Sequence, residues 1–245
     1  LANASEALED FSKDLYGTIA IGKDGKLDKH ISNGPCGNSK NCTKDNLYSI
    51  GSLTKQFTAV ALLKAVLEIY CKNDIQKLAA ALKEPLANFL KKWPKDQTPE
   101  WSKEVTLHHL LSHTSGLKDV EVPDYVEFGK KPRTREEVLT LYLERNPKLS
   151  FKPGEQYEYS NPNFFIAGIV VEQLTGKTLG EYLKSEIFDP NNMQNTFLPE
   201  ENMEELFKKH PLLAKGFMFS LKKKDSIDPT KVYFASSLNQ GDGGI

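Results

Sequence analysis

The order of patterns along this chain predicts an α+β fold, in which an antiparallel sheet flanked by helices is joined to a helical lobe. Three observations carry that prediction. A hairpin pattern opens the chain, a long apolar helical run follows Ser52, and capped helical segments fill most of the remainder. Leu8 to Leu15 has a short amphipathic helical pattern. Tyr16 to Gly22 reads as a strand, Lys23-Asp24-Gly25-Lys26 as a hairpin turn, and Leu27 to Ser32 as the return strand. The run from Ser52 to Leu67 is apolar nearly all round, which predicts a helix lying inside the protein. Helices are then expected at Ile75 to Leu90, from Thr106 to a close at Gly116, and after Thr134, with Glu137 completing a capping box. The stretch from Phe151 to Asn161, with Pro153-Gly154 near its start, interrupts them as a turn and an extended loop. Two more helices follow: Phe164 to Leu174, closed by Gly176, and Thr178 to Phe188, opened by a Thr178/Glu181 box. Residues 1–51 would begin the sheet lobe, 52–200 form the mainly helical lobe, and 201–245 return toward the sheet, all within one domain. The later part holds too few strands to complete that sheet.

Composition narrows the class. The chain is 39% hydrophobic and 27% charged, the balance of an ordinary soluble globular protein. A formal net charge of −1 argues against nucleic acid or an anionic membrane as the main partner. The lysines at 222–224 are offset by Asp225 and Asp228 and read as a solvated loop. No apolar stretch reaches the roughly 18 residues that span a bilayer. The chain opens on Leu1 without a methionine, which fits a mature secreted product or a trimmed sequence. Cys36 and Cys42 bracket a polar, turn-rich loop that either closes a small disulfide or carries two free thiols. A disulfide implies an oxidising compartment, periplasmic or secreted. Cys71 follows the apolar run and reads as an unpaired core or boundary thiol.

The chemistry concentrates at Ser52 and Lys55. Residues three apart share a helix face, so the Lys55 amine can reach the Ser52 hydroxyl. Burial disfavours an ammonium and turns a lysine into a general base. The hydroxyl lies at the positive end of the helix dipole, and Gly51 allows close backbone approach. Spacing alone is weak evidence, because Ser115/Lys118 and Ser220/Lys223 repeat it. Context separates them: Ser115 stands at an expected helix end, and Ser220 opens a solvated, lysine-rich stretch. A second constellation, Tyr159-Ser160-Asn161, stands just ahead of a helix whose first turn carries Asn163. A tyrosine oxygen near a lysine can move a proton, and an asparagine offers a donor and an acceptor to a substrate amide.

Together these residues resemble the serine β-lactamase and penicillin-binding protein superfamily, within it the class C β-lactamase and D-Ala-D-Ala carboxypeptidase branch. The phrases Ile50 to Ala59, Leu110 to Leu117 and Phe151 to Glu155 are similar to family phrases and stand in the family order. The resemblance spans about residues 15–200 and implies a β-lactamase/transpeptidase-like fold. It implies a serine hydrolase working through an acyl-enzyme on amide or ester substrates: β-lactams, D-amino-acid peptides or amides, or carboxylic esters. Ser52 would be the nucleophile, Lys55 and Tyr159 would share the proton transfers, the Ser52 N–H would supply half the oxyanion hole, and Asn161 would orient the substrate. It implies a small-molecule or peptidoglycan-like substrate, with no metal and no organic cofactor.

Two departures from the family shape the expectation. Glu121 stands where class C enzymes usually carry a substrate-contacting glutamine, which sets it as a substrate-binding candidate and argues against ordinary penicillin or cephalosporin recognition. The family's third motif, Lys-Thr-Gly or His-x-Gly on a strand, has no counterpart; Gly241 to Ile245 resembles a phrase that precedes that strand, so a longer native product is expected. The alternative is a catalytically impaired binding or scaffolding protein with the same fold. His109 and His113 have zinc-site spacing, but Leu110 stands where that motif has glutamate, and the resemblance makes His113 a packing residue. No Gly-x-Ser-x-Gly elbow, phosphate loop or dinucleotide fingerprint is present.

Overall fold

Two residues with positive φ, Asp24 at 51° and Gly25 at 72°, turn the chain between β1 (Gly17–Lys23) and β2 (Lys26–Asn33). This is the turn type whose twist suits a two-residue hairpin, and aspartate and glycine tolerate the left-handed region best. The computed structural model describes residues 17–34, 41–94, 98–119, 134–199 and 203–214, and the backbone of 218–219 and 226–227. The helix expected over Leu8 to Leu15 lies outside them.

The chain divides into two compact units, residues 1–49 with 203–232 and residues 50–202 with 233–245. In the first unit β1 and β2 pair antiparallel, with a register shift after Ile21 that leaves Asp28 as a bulge. Thr18 Oγ1 lies 2.9 Å from Ser32 Oγ across the strands and 2.6 Å from the Tyr48 hydroxyl. The Asn46–Leu47 segment is fastened to the stretch after α7 (Met203–Lys209): Leu47 N donates to Leu212 O at 3.1 Å, Ala214 N to Leu47 O at 2.8 Å, and Asn46 Nδ2 to Leu212 O at 2.8 Å. A short antiparallel pair, β3 (Met218–Phe219) with β4 (Ser226–Ile227), also belongs to this unit. Cys42 is disulfide-bonded, Cys36 lies outside the described residues, and Cys71, in the second unit, is a free buried thiol.

The second unit is helical. It runs through α1 (Thr54–Ala65), α2 (Ile75–Ala81), α3 (Leu107–Leu111), α4 (Arg135–Arg145), α5 (Asn161–Thr175) and α6 (Leu179–Leu183). Its centre is α5, in which every residue from Pro162 to Val171 is buried. Fully burying a side chain such as Phe165, Ile166 or Val170 contributes about 1.5–3 kcal/mol. Gly176, at φ 72°, ends α5 in the left-handed cap conformation. Arg135 pairs with Glu172 at 2.9 Å and stacks on Phe165, while the other Glu172 oxygen accepts from Leu179 N at 2.9 Å, tying α4, α5 and α6 together.

Several elements differ from expectation. The run after Ser52 begins as a 3-10 turn (Gly51–Leu53), continues as α1 and ends in a π-helical turn (Val66–Tyr70). It buries one stripe, Thr54, Lys55, Thr58, Ala61, Leu62 and Ala65, while Leu53 is 63% and Val60 50% exposed. α1 is covered where it faces α5 and where Phe57 meets Phe188, so α5 and not α1 is the more deeply buried helix. The helix expected over Ile75 to Leu90 stops at Ala81, because Pro85, at φ −52° and ψ 138°, cannot continue it; a 3-10 turn (Leu86–Asn88) follows. The helix after Thr106 stops at Leu111, since His113 adopts φ 56°. The capping boxes at Thr134/Glu137 and Thr178/Glu181 form as read, and a π-helical turn (Lys184–Phe188) extends α6 to the expected Phe188.

Gly116 carries the tightest backbone requirement. At φ 79°, its missing Cβ would lie 2.3 Å from the Phe151 carbonyl oxygen, whereas a Cβ at Gly176 meets nothing within 4 Å. Gly116→Ala should therefore cost well beyond the conformational penalty of about 1–2 kcal/mol that Gly176→Ala incurs. Urea midpoints of the two variants against wild type check this; equal losses would show that the 116–151 contact yields freely.

Candidate active site

Ser52 sits in the 3-10 turn ahead of α1, preceded by Gly51 at φ 52°. Lys55, one turn on, is only 7% exposed and lies over two aromatic faces, 5.0 Å from the Tyr159 ring centre and 5.8 Å from that of Phe164. Its Nζ donates to Ser52 Oγ at 3.2 Å and to Asn161 Oδ1 at 2.7 Å. The Ser52 and Tyr159 hydroxyls share a hydrogen bond of 2.6 Å. Ser52, Lys55, Tyr159 and Asn161 thus converge within the helical unit. Ser52 is itself exposed and Tyr159 is 40% exposed, so the burial expected of this helical run is met at Lys55 and not at the serine. The 3-10 turn aims the serine outward while the lysine runs along the aromatic rings.

Two loops fix Tyr159. Segment 112–118, after α3, runs beside segment 150–160, with Ser150 N donating to Gly116 O, Gly154 N to Thr114 O and Glu158 N to His113 O, all at 2.8–2.9 Å. The His113 ring stacks on Tyr159 at 4.5 Å between centres, with 27° between planes. Its Nδ1 accepts from Ser160 N at 3.2 Å and lies 3.3 Å from Asn163 Nδ2. Asn163 Oδ1 accepts from the buried Ser115 hydroxyl at 2.6 Å. Ser115 is therefore committed to structure, and Ser220 and Glu121 lie outside the described residues. His109 closes the capping box of α3 through its Nδ1 and Thr106 N. The two histidines with zinc-site spacing thus use their Nδ1 atoms on main-chain donors.

Two members of this cluster, Asp119 and His113, lie outside both motifs. Asp119 accepts from Asn161 N at 3.1 Å through Oδ1 and from Asn161 Nδ2 at 3.2 Å through Oδ2. His113 was expected only to pack, yet it holds both the ring face of Tyr159 and the main chain of Ser160. Loop positions carry no periodicity that would expose either contact.

A family model described as Beta-lactamase matches residues 13–207. The chain belongs to the beta-lactamase family. It is 28% identical over 186 residues to the "Unguisins hydrolase ungD'" of Aspergillus campestris, covering 74% of this chain and 32% of that protein. It is 24% identical over 212 residues to "Penicillin-binding protein 4*" of Bacillus subtilis, covering 82% of this chain and 42% of that one. The chain spans less than half the length of these two relatives. Among solved structures, the D-amino acid amidase of Ochrobactrum anthropi superposes with a TM-score of 0.70 over 99% of this chain and 67% of that chain, at 23% identity, which shows the fold. No helix of the described residues is long and apolar enough to cross a membrane.

Burial, and next the nearby Lys55 charge, hold the His113 pKa below its ordinary value; burial and the neighbouring His108 do the same for His109. An Nδ1 that accepts from a main-chain N–H must also give up that bond when protonated. Both folded-state pKa values lie below the unfolded value of about 6.5, so the unfolded chain binds more protons and stability rises with pH. That contribution is full above about pH 6.5 and is lost as pH falls through the depressed folded values. Urea midpoints should drop between pH 7.5 and 5.5, and His113→Gln should flatten the slope; a midpoint that holds or rises on acidification contradicts this.

Proposed function

We propose that this protein is a serine hydrolase acting on amide or ester carbonyls through a covalent acyl-enzyme. One observation carries the reading: the Ser52 hydroxyl lies within hydrogen-bond reach of both a phenol and an amine, Tyr159 Oη at 2.6 Å and Lys55 Nζ at 3.2 Å. Ser52 Oγ attacks the carbonyl carbon, and its proton passes to the Lys55–Tyr159 pair. The carbonyl oxygen becomes an oxyanion, for which the Ser52 N–H, in the first turn of a helix and without an intrahelical acceptor, is a donor. Collapse of the intermediate breaks the bond to the leaving amine or alcohol, which takes the proton back from the pair. Water then attacks the Ser52 ester, loses its proton to the same pair, and releases the acid with the serine restored. Asn161, held between Lys55 and Asp119, orients the substrate.

Membership of the beta-lactamase family and relatives named as hydrolase, penicillin-binding protein and D-amino acid amidase support this class. The substrate is a β-lactam, a D-amino-acid peptide or amide, or a carboxylic ester. The carboxylate at Glu121 favours small esters and D-amino-acid amides over cephalosporins. The disulfide at Cys42 supports a periplasmic or secreted location.

Treatment with a fluorescent penicillin and a serine-directed phosphonate, followed by peptide mass spectrometry, should find the label on Ser52 and lose it in Ser52→Ala. Lys55→Arg should slow acylation by about 10²-fold or more, since a guanidinium stays protonated, and Tyr159→Phe should do likewise. Label on another serine, or a Lys55→Arg variant of near-normal rate, overturns the assignment. Among substrates, kcat/KM should rank a D-amino-acid amide and a small ester above a cephalosporin; the reverse order removes the role given to Glu121.

A further inference from the structure

We propose that Asp119 is a positioning residue of this site: it sets the side-chain amide of Asn161 so that the oxygen, and not the nitrogen, faces Lys55. The inference rests on the serine hydrolase reading and adds to that site a residue that neither motif contains.

An asparagine amide has two ends of nearly equal shape and opposite hydrogen-bonding character. With Oδ1 toward Lys55 and Nδ2 toward Asp119, both contacts join a donor to an acceptor, at 2.7 and 3.2 Å. Rotating the amide by half a turn would set an NH2 against the Lys55 amine and an oxygen against the Asp119 carboxylate. The oxygen–carboxylate contact would be repulsive whatever the charge on Lys55, so the carboxylate selects one orientation. Its second oxygen accepts from Asn161 N at 3.1 Å, a first-turn N–H of α5 that has no intrahelical acceptor. One carboxylate therefore fixes the main chain and the side chain of the same residue.

Asp119 is in turn held from behind. Lys118 N donates to Asn146 Oδ1 at 2.8 Å, and Asn146, 1% exposed, is anchored by its Nδ2 to Tyr142 O of α4 at 3.0 Å. Immediately upstream, the Leu117 N–H bonds the Ser115 hydroxyl at 3.1 Å. The carboxylate is thus delivered to the start of α5 by a buried, neutral network. Losing it frees the Asn161 amide to rotate and unsettles the Lys55 amine that shares its oxygen.

The test combines a structural and a kinetic readout on the intact chain. In protein labelled with 15N-asparagine, the Asn161 side-chain amide, identified by its loss in Asn161→Asp, should show one proton shifted downfield by the carboxylate. Asp119→Ala should abolish that shift. Acylation of Ser52 by an activated ester, followed by intact mass, should slow about 10- to 100-fold in Asp119→Ala, the order expected of a misplaced catalytic group. Asp119→Asn, which keeps an acceptor oxygen, should fall between, and it serves as the test variant if the alanine protein fails to fold. In an Asn161→Ala background the same Asp119 substitutions should change the rate less than about threefold, because the residue acts through Asn161. An equal loss in both backgrounds, or an Asn161 resonance unmoved by the substitutions, overturns the proposal. Were wild-type Ser52 inert, the hydrolase reading would fall, and the amide resonance alone would decide whether Asp119 sets Asn161.

Discussion

The burial of α5 is the constraint on which the rest of the site depends. With every residue from Pro162 to Val171 enclosed, the helix can neither slide nor rotate without exposing apolar surface, so its first residue, Asn161, has one position. Tyr159 and Ser160 enter that helix and inherit its placement. α1 packs its stripe of Thr58, Ala61, Leu62 and Ala65 on the same core, which brings Lys55 and Ser52 opposite. Apolar packing thus sets the distance between two polar groups that no local interaction joins.

Polar contacts then refine what packing brings near. Small residues at Gly116 and Gly154 let the loop after α3 lie against the loop before α5, and the cross-links between them hold His113 under Tyr159. The lowered pKa of His113 suits that place, since burial disfavours a charged ring beside the Lys55 amine. Asp119 and Lys55 share the Asn161 amide, and the Lys55 amine hydrogen-bonds Ser52 and Asn161 at once.

What was legible in the sequence follows from the range of each interaction. Ser52 and Lys55 stand one turn apart at the start of the apolar run, so spacing and helical context together place them near each other. Tyr159 and Asn161 were legible as a phrase that stands in a fixed order after the serine. Capping boxes at Thr134 and Thr178 are local contests for main-chain donors, and they form as written. The helix expected from Ile75 to Leu90 runs past its limit, which Pro85 marks in the sequence itself. The contacts of Asp119 and His113 were not legible, because they join Asn161 and Tyr159 across more than forty residues of sequence, α4 among them, beyond the reach of 3.6-fold or 2-fold periodicity. The exposed side of α1 was misjudged for a related reason: composition says that a face is apolar, and only the tertiary arrangement says what lies against it.

The central claim is that Lys55 and Tyr159 act on Ser52 as one proton-transfer unit. The most direct measurement is the pre-steady-state rate of Ser52 acylation in wild type, Lys55→Met, Tyr159→Phe and the double variant. The account predicts that each single change costs about 10² or more and that the double variant is little slower than the worse single one, as for groups sharing one proton. Strictly multiplicative losses, or a single variant that acylates at the wild-type rate, would show that the two side chains do not form the unit their geometry describes.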